Sequence, residues 1–216
     1  MKPLFEFLDV KYLDVLDLPD LRIDEGRITA LVGASGSGKT TVLRMLNKMI
    51  SPTSGRILFQ GRDLAQEDSV THRRNVVMLS QTPALFGLTV RDNLLAGLRF
   101  QDREEPDEQS LTQILEQVRL AKPLQEAADK LSGGERQRLA LGRVLLMKPR
   151  VYLLDEPSSA LDEETAQLIF EMLTSHARAD GSTIVMVTHS KAAARNHADV
   201  IIEMSGGTCL NKGCSL

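Results

Sequence analysis

Three short runs in this 216-residue chain combine residue types and spacings that chemistry can use. The first, Gly33-Ala34-Ser35-Gly36-Ser37-Gly38-Lys39-Thr40-Thr41, meets G-x-x-x-x-G-K-[ST] at every fixed position. A glycine-rich loop can turn successive backbone N–H groups toward a polyphosphate, and a helix that follows adds its positive N-terminal end. In such a loop Lys39 would reach the β- and γ-phosphates and Thr40 would set its hydroxyl on Mg²⁺. The second run ends an apolar stretch, Val151-Tyr-Leu-Leu154, in two adjacent carboxylates, Asp155 and Glu156. Beside a phosphate loop, Asp155 could hold Mg²⁺ and Glu156 could orient or deprotonate the attacking water. The third, Leu131-Ser132-Gly133-Gly134-Glu135-Arg136-Gln137, reads as a helix start, with Ser132 as N-cap and Glu135 closing a capping box. Two glycines in a first turn weaken a helix, so their use is better explained by baring N–H groups to an anion.

Each run needs an element to hold it. Ile28-Thr-Ala-Leu-Val32 ahead of the loop is a strand, and Val42-Leu-Arg-Met-Leu46 behind it has helical spacing. Loose alternation predicts earlier strands over Leu4–Val10 and Leu21–Ile23, and later ones over Arg56–Phe59 and Val76–Leu79. From Pro83 to Met147 the pattern turns helical, with helices expected over Val90–Leu98, Leu111–Leu120 and Ser132–Met147. The charged segment Gln101–Glu108, with Pro106 inside it, reads as a solvated loop. Beyond Pro149, strands over Val151–Leu154, Thr183–Val187 and Val200–Ile202 alternate with helices over Glu163–Ala177 and from Lys191. Continuous apolar strands alternating with helices imply an α/β fold with a largely parallel sheet covered on both faces.

Composition narrows the classes. With 26 Lys+Arg against 29 Asp+Glu the net charge is −3, so no overall basic field points to nucleic acid. Lys2, Glu6 and Asp9 interrupt the apolar residues at the start, unlike a signal peptide, and no apolar run approaches the roughly 20 residues that span a bilayer. A cytosolic chain is expected, with any membrane role exercised through a partner. Cys209 and Cys214 are expected to be idle reduced thiols. His72, His176 and His197 fit no motif and are expected at the surface.

The run Leu-Ser-Gly-Gly-Glu-Arg-Gln resembles the signature sequence of ATP-binding-cassette (ABC) ATPases, and the resemblance extends over nearly the whole chain. It implies a P-loop NTPase (RecA-like) core with N-terminal antiparallel strands and an inserted α-helical subdomain: residues 1–81 and 148–216 as core, 82–147 as insert. It implies ATP and Mg²⁺ as cofactors and hydrolysis of ATP to ADP and phosphate. Tyr12 resembles the aromatic that stacks on adenine, and Gln81 the glutamine that touches Mg²⁺ and water. Ser159-Ala-Leu-Asp162 resembles the loop after the catalytic glutamate that crosses to the opposite subunit, and His189 resembles the histidine that contacts the γ-phosphate. Ser132, Gly133 and Gly134 would face the ATP held by a second copy, so the resemblance implies a homodimer when ATP is bound. It also implies a separate integral-membrane permease, attachment to the inner face of the membrane, and no nucleic-acid partner.

Ile50-Ser-Pro-Thr-Ser-Gly55 and the run from Gln81 to Leu94 are similar to bacterial iron-export ABC ATPases, which implies metal export. Another cargo such as lipoprotein, peptide or drug, a non-transport role in cluster assembly, and a small-molecule kinase are the rival readings. The kinase leaves the signature run unexplained. Leu85 and Phe86, in an irregular segment broken by Pro83 and Gly87, are either core residues or the lining of a groove for a cytoplasmic helix of the permease.

Overall fold

The chain opens with two long antiparallel strands, β1 (Pro3–Tyr12) and β2 (Leu16–Asp24), in a computed structural model that describes residues 2–210 together with 214 and 215. β2 is three times the length expected from Leu21–Ile23 and runs through Pro19. It can do so because it is the edge of a four-stranded sheet ordered β2-β1-β4-β5, where a residue without an N–H breaks no inner ladder. The other two strands are β4 (Ser54–Phe59) and β5 (Arg62–Asp63).

The second sheet carries the parallel strands β3 (Ile28–Val32), β6 (Val76–Leu79), β7 (Val151–Asp155), β8 (Thr183–Val187) and β9 (Val200–Ser205), side by side as β9-β3-β8-β7-β6. Two short strands, β10 (Thr208–Cys209) and β11 (Cys214–Ser215), pair antiparallel with β9. Successive side chains of a strand point to opposite faces, and here both faces are core. Tyr152 and Leu154 of β7, with Ile184 and Met186 of β8, pack into a cluster shared with the helices between β6 and β7. Val151, Leu153, Val185 and Val187 pack into the other, which the antiparallel sheet and helix α1 (Lys39–Leu46) close with Phe5, Phe7, Leu43 and Leu46. Sandwiching on both faces is why these strands are continuously apolar.

Helix α2 (Ser69–Asn75) was not signalled by periodicity, being short and charged; it starts where the Asp68 carboxylate accepts from Thr71 N at 2.8 Å. It buries His72, contrary to the surface placement expected. The His72 ring is 4% exposed, stands edge-on to Phe59, and has Nε2 2.7 Å from the Leu46 carbonyl. His176 and His197 are half-buried.

Between β6 and β7 lie α3 (Val90–Arg99), α4 (Glu108–Gln117) and α5 (Gly133–Met147). α4 starts three residues before the expected Leu111, because Asp107 caps it through Ser110 N at 2.9 Å. The charged segment before α4 is the exposed loop expected, and side-chain contacts tie it to the helices: Glu105 takes Arg91 at 3.3 Å and Arg99 at 2.8 Å, and Arg103 donates to the Met147 carbonyl at 2.6 Å. The last helices, α6 (Glu163–Asp180) and α7 (Lys191–His197), return the chain to the parallel sheet. Among the described residues no helix is long and apolar enough to cross a membrane. Cys209 is a free, half-buried thiol whose pKa burial raises; the side chain of Cys214 lies outside the described residues.

Candidate functional site

Parallel strands bring their carboxyl ends to one edge of the sheet, and ligands of open α/β sheets gather there. β3 delivers the glycine loop to that edge, β6 leads to Gln81, β7 ends in Asp155 and Glu156, and β8 leads to His189. Residues from all four converge on a cleft of about 290 Å³ lined by Ser35, Gly36, Lys39, Gln81, Glu156 and His189, among others. Gly38, Thr40 and Thr41 line it too. A larger space, about 500 Å³ between α4, α5 and α6, gathers none of these groups.

The loop is held open by close packing around it. Gly33 has φ +149°, and a Cβ there would overlap the Met204 carbonyl oxygen on β9, so only glycine fits. Lys39, 5% exposed, curls its ammonium back along the loop, donating to the carbonyls of Gly33 (2.9 Å) and Ala34 (2.7 Å) and to Ser37 Oγ (3.2 Å). Burial lowers its pKa, while Glu156 and Asp155 pull it back up. A cation fixed this way stands where phosphate oxygens would arrive, at the N-terminus of α1.

Thr40, which lines the cleft, donates through Oγ1 to Asp155 Oδ1 at 3.0 Å. Asp155 is 4% exposed, and its pKa is raised chiefly by that burial and further by Glu156, with the Thr40 hydrogen bond pulling the other way. A buried carboxylate beside a hydroxyl is an all-oxygen donor set, suited to a hard cation that keeps water and phosphate ligands. Among the described residues there is no cluster of three or more His, Cys, Asp or Glu side chains that could hold a metal alone. The donors therefore fit Mg²⁺ arriving with a nucleotide and not a resident transition metal.

Glu156 is held from both sides: His189 Nε2 lies 2.7 Å from Oε1, and Gln81 Nε2 donates to Oε2 at 3.0 Å. Its backbone is left-handed, φ +50°, which costs a residue with a Cβ about 1–2 kcal/mol and persists only where neighbours enforce it. Its N–H donates to Val187 O at 3.1 Å, and its carbonyl accepts from Ser159 N at 3.2 Å and from Gln137 Nε2 at 2.9 Å. Gln137 is 2% exposed. Sequence reading gave it no role, since its only signal was membership of the signature run.

Ser132 and Glu135 form the reciprocal capping box, with Glu135 N donating to Ser132 Oγ at 3.3 Å and Ser132 N to Glu135 Oε2 at 2.8 Å. The Ser132 backbone N–H is the main reason the Glu135 pKa falls to about 2, with Lys122 helping. A Cβ on Gly134 would come 2.7 Å from the Ala160 carbonyl, so glycine there lets α5 press against the turn after Glu156. Gly133 faces open space. Ser132 and Gly133 are exposed, and with Gly134 they lie outside the cleft that collects the other groups. Asp162 is also outside it, accepting from Thr165 N at 2.9 Å as N-cap of α6. Tyr12, half-buried at the end of β1, does not line it either.

A glycine loop between a central parallel strand and a helix, facing a strand that ends in Asp-Glu, defines a P-loop NTPase. The family pattern described as ABC transporter matches residues 16–159. The chain is 37% identical over 207 residues to the probable iron export ATP-binding protein FetA of Escherichia coli, covering 94% of this chain and 91% of that protein. It is also 37% identical over 216 residues to the phosphonates import ATP-binding protein PhnC of Bordetella parapertussis, covering 92% and 84%. Other relatives are longer proteins, of one of which the chain spans only 16%. Among solved structures it is similar to a dimeric ATP-binding cassette in a post-hydrolysis state bound to ADP and Pi, with TM-score 0.86, 26% identity and 98% of each chain covered. The chain belongs to the ABC transporter family. It is an ATP-binding subunit with the ATPase activity of that family.

Proposed function

We propose that this chain powers a transporter as one of two copies that close on ATP, working with a separate membrane permease from the cytoplasmic face of the membrane. Residues 1–81 and 148–216 form the nucleotide-binding core in this reading, and 82–147 the helical subdomain that carries the signature. The observation that carries it is the split of one set of motifs between two surfaces. Lys39, Thr40, Gln81, Glu156 and His189 line one cleft, with Asp155 hydrogen-bonded to Thr40 beside it, whereas Ser132 and Gly133 open to solvent outside it. One subunit thus presents half of each of two sites, and the related cassette is described as dimeric.

In that dimer the loop from Gly33 to Thr41 and the α1 N-terminus bind the triphosphate, and Lys39 offsets its charge. Thr40, Asp155 and Gln81 would hold Mg²⁺, which when bound neutralises charge on the β- and γ-phosphates. Glu156, oriented by Gln81 and His189, takes the proton of the attacking water, and His189 steadies the γ-phosphate. Ser132, Gly133 and Gly134 of the second copy close the site over the γ-phosphate, joined by Asp162 from the loop before α6. Tyr12 stacks on the adenine.

Glu156→Gln tests this reading. A general base is worth about 10²–10⁴-fold in rate and little in binding, so the variant should bind ATP, fail to hydrolyse it, and run as a dimer on size exclusion with Mg-ATP. A monomer with undiminished turnover refutes both the base and the dimer.

For cargo, we propose metal export, supported by the resemblance to the iron export protein. The phosphonate import relative, of equal identity, supports the opposite direction. Reconstitution with its membrane permease, measuring iron efflux against phosphonate uptake, separates them. Nucleic acid has no place in either.

A further inference from the structure

We infer that Gln137 is a positioning residue for ATP hydrolysis: its side-chain amide holds the backbone of Glu156, and with it the proton-accepting carboxylate, to the helix that begins at the signature. The inference rests on the proposed role of Glu156 as base.

Glu156 stands in a left-handed conformation that its Cβ disfavours, so its carboxylate points into the cleft only while its backbone is held. Three hydrogen bonds reach that backbone. Glu156 N donates to Val187 O at 3.1 Å, joining it to β8; Ser159 N donates to Glu156 O at 3.2 Å within the turn itself; and Gln137 Nε2 donates to the same carbonyl at 2.9 Å. The turn bond moves with the turn. Gln137 alone ties this carbonyl to a different part of the fold, the buried face of α5. The side-chain bonds from Gln81 and His189 are no substitute, because both reach only the carboxylate oxygens and leave the backbone carbonyl untouched.

The anchor's place on α5 gives the bond its direction. Gln137 lies one helical turn from Ser132–Gly134, and Gly134 itself packs on the Ala160 carbonyl of the turn after Glu156. A movement of the α5 N-terminus, such as closure of its exposed first turn over the ATP of the second copy, is therefore transmitted to the carboxylate that serves this subunit's own ATP. Gln137 links the two ATP sites.

Gln137→Met, of similar shape but without the donor, is the direct test. Misplacing a reacting group by about 1 Å costs up to about 10²-fold in rate, so kcat should fall about 10- to 100-fold with ATP affinity unchanged and the Mg-ATP dimer still formed. Gln137→Glu supplies a readout that a packing role would not move. Its protonated acid can donate to the Glu156 carbonyl, whereas its carboxylate repels it. Burial raises such an acid's pKa, so turnover relative to wild type should fall as pH rises from about 5.5 to about 8.5. Wild-type kcat in Gln137→Met, or ATP affinity lost in step with rate, overturns the inference; if that variant does not fold, a pH profile of Gln137→Glu parallel to wild type overturns it. Glu156→Gln run alongside keeps the two readings apart: retained turnover there refutes the base, while its loss together with normal Gln137 variants refutes only the link.

Discussion

Asp155→Asn should make the nucleotide-free protein more stable while abolishing its response to Mg-ATP. Asp155 is 4% exposed, and burial raises its pKa above the ordinary 3.8. A carboxylate with a raised folded pKa makes the native state pay for ionisation at neutral pH. That cost is absent below the ordinary pKa, grows as pH rises through the window up to the raised value, and is complete above it. Asn is nearly isosteric, its Oδ1 can still accept from Thr40 Oγ1 across the 3.0 Å contact, and it carries no charge. Relieving strain of this kind in an active site is worth about 0.5–2 kcal/mol. For a domain of this size that is about 1–8 °C in Tm, at 2–4 °C per kcal/mol. Saturating Mg-ATP at about 100 times Kd adds about 2.7 kcal/mol to whatever binds it. Wild type should therefore overtake the variant once Mg-ATP is present, and the variant should show little Mg²⁺-dependent shift. Differential scanning fluorimetry from pH 4 to 8, with and without Mg-ATP, reads all of this. A variant less stable than wild type at pH 8 without nucleotide, a stability gap that does not widen with pH, or an undiminished Mg-ATP shift refutes the reasoning.

Lys39→Ala removes both the phosphate-facing charge and the three hydrogen bonds that tie the loop to itself. Charged hydrogen bonds are worth about 1.5–3 kcal/mol each, so ATP affinity in an equilibrium titration should fall by about 10²-fold, and near wild-type affinity would contradict the role. The pair Leu85 and Phe86 should separate. Leu85 packs against the core, so Leu85→Ser should lower Tm by several degrees. Phe86 is 48% exposed, with the Arg143 guanidinium 4.5 Å over its ring and Phe100 edge-on at 5.5 Å. We expect Phe86→Ser to leave basal ATPase intact and to abolish stimulation by the permease; stimulation retained would move the docking groove elsewhere.

What this sequence determines unaided is whatever depends on neighbours along the chain. The G-x-x-x-x-G-K-T loop, the Ser132 capping box and the continuously apolar β3, β7 and β8 are local patterns, legible because turn chemistry, capping and strand burial act within a few residues. Signals failed where the local pattern was weak or overruled. α2 is short and charged and buries a histidine; β2 runs through Pro19 because an edge strand tolerates it; α4 starts early because Asp107 outcompetes the apolar spacing that follows. Only the tertiary structure decided which groups share a cleft. Strand order places the ends of β3, β6, β7 and β8 on one edge, so Thr40 meets Asp155 across 115 positions of sequence and Gln81 meets Glu156 across 75. It also decided that Ser132 and Gly133 stay outside that cleft and that Gln137 reaches the Glu156 carbonyl. Register and crossover are fixed by how the apolar faces of the two sheets and their helices fit together, a balance summed over the whole core that no stretch of residues expresses alone.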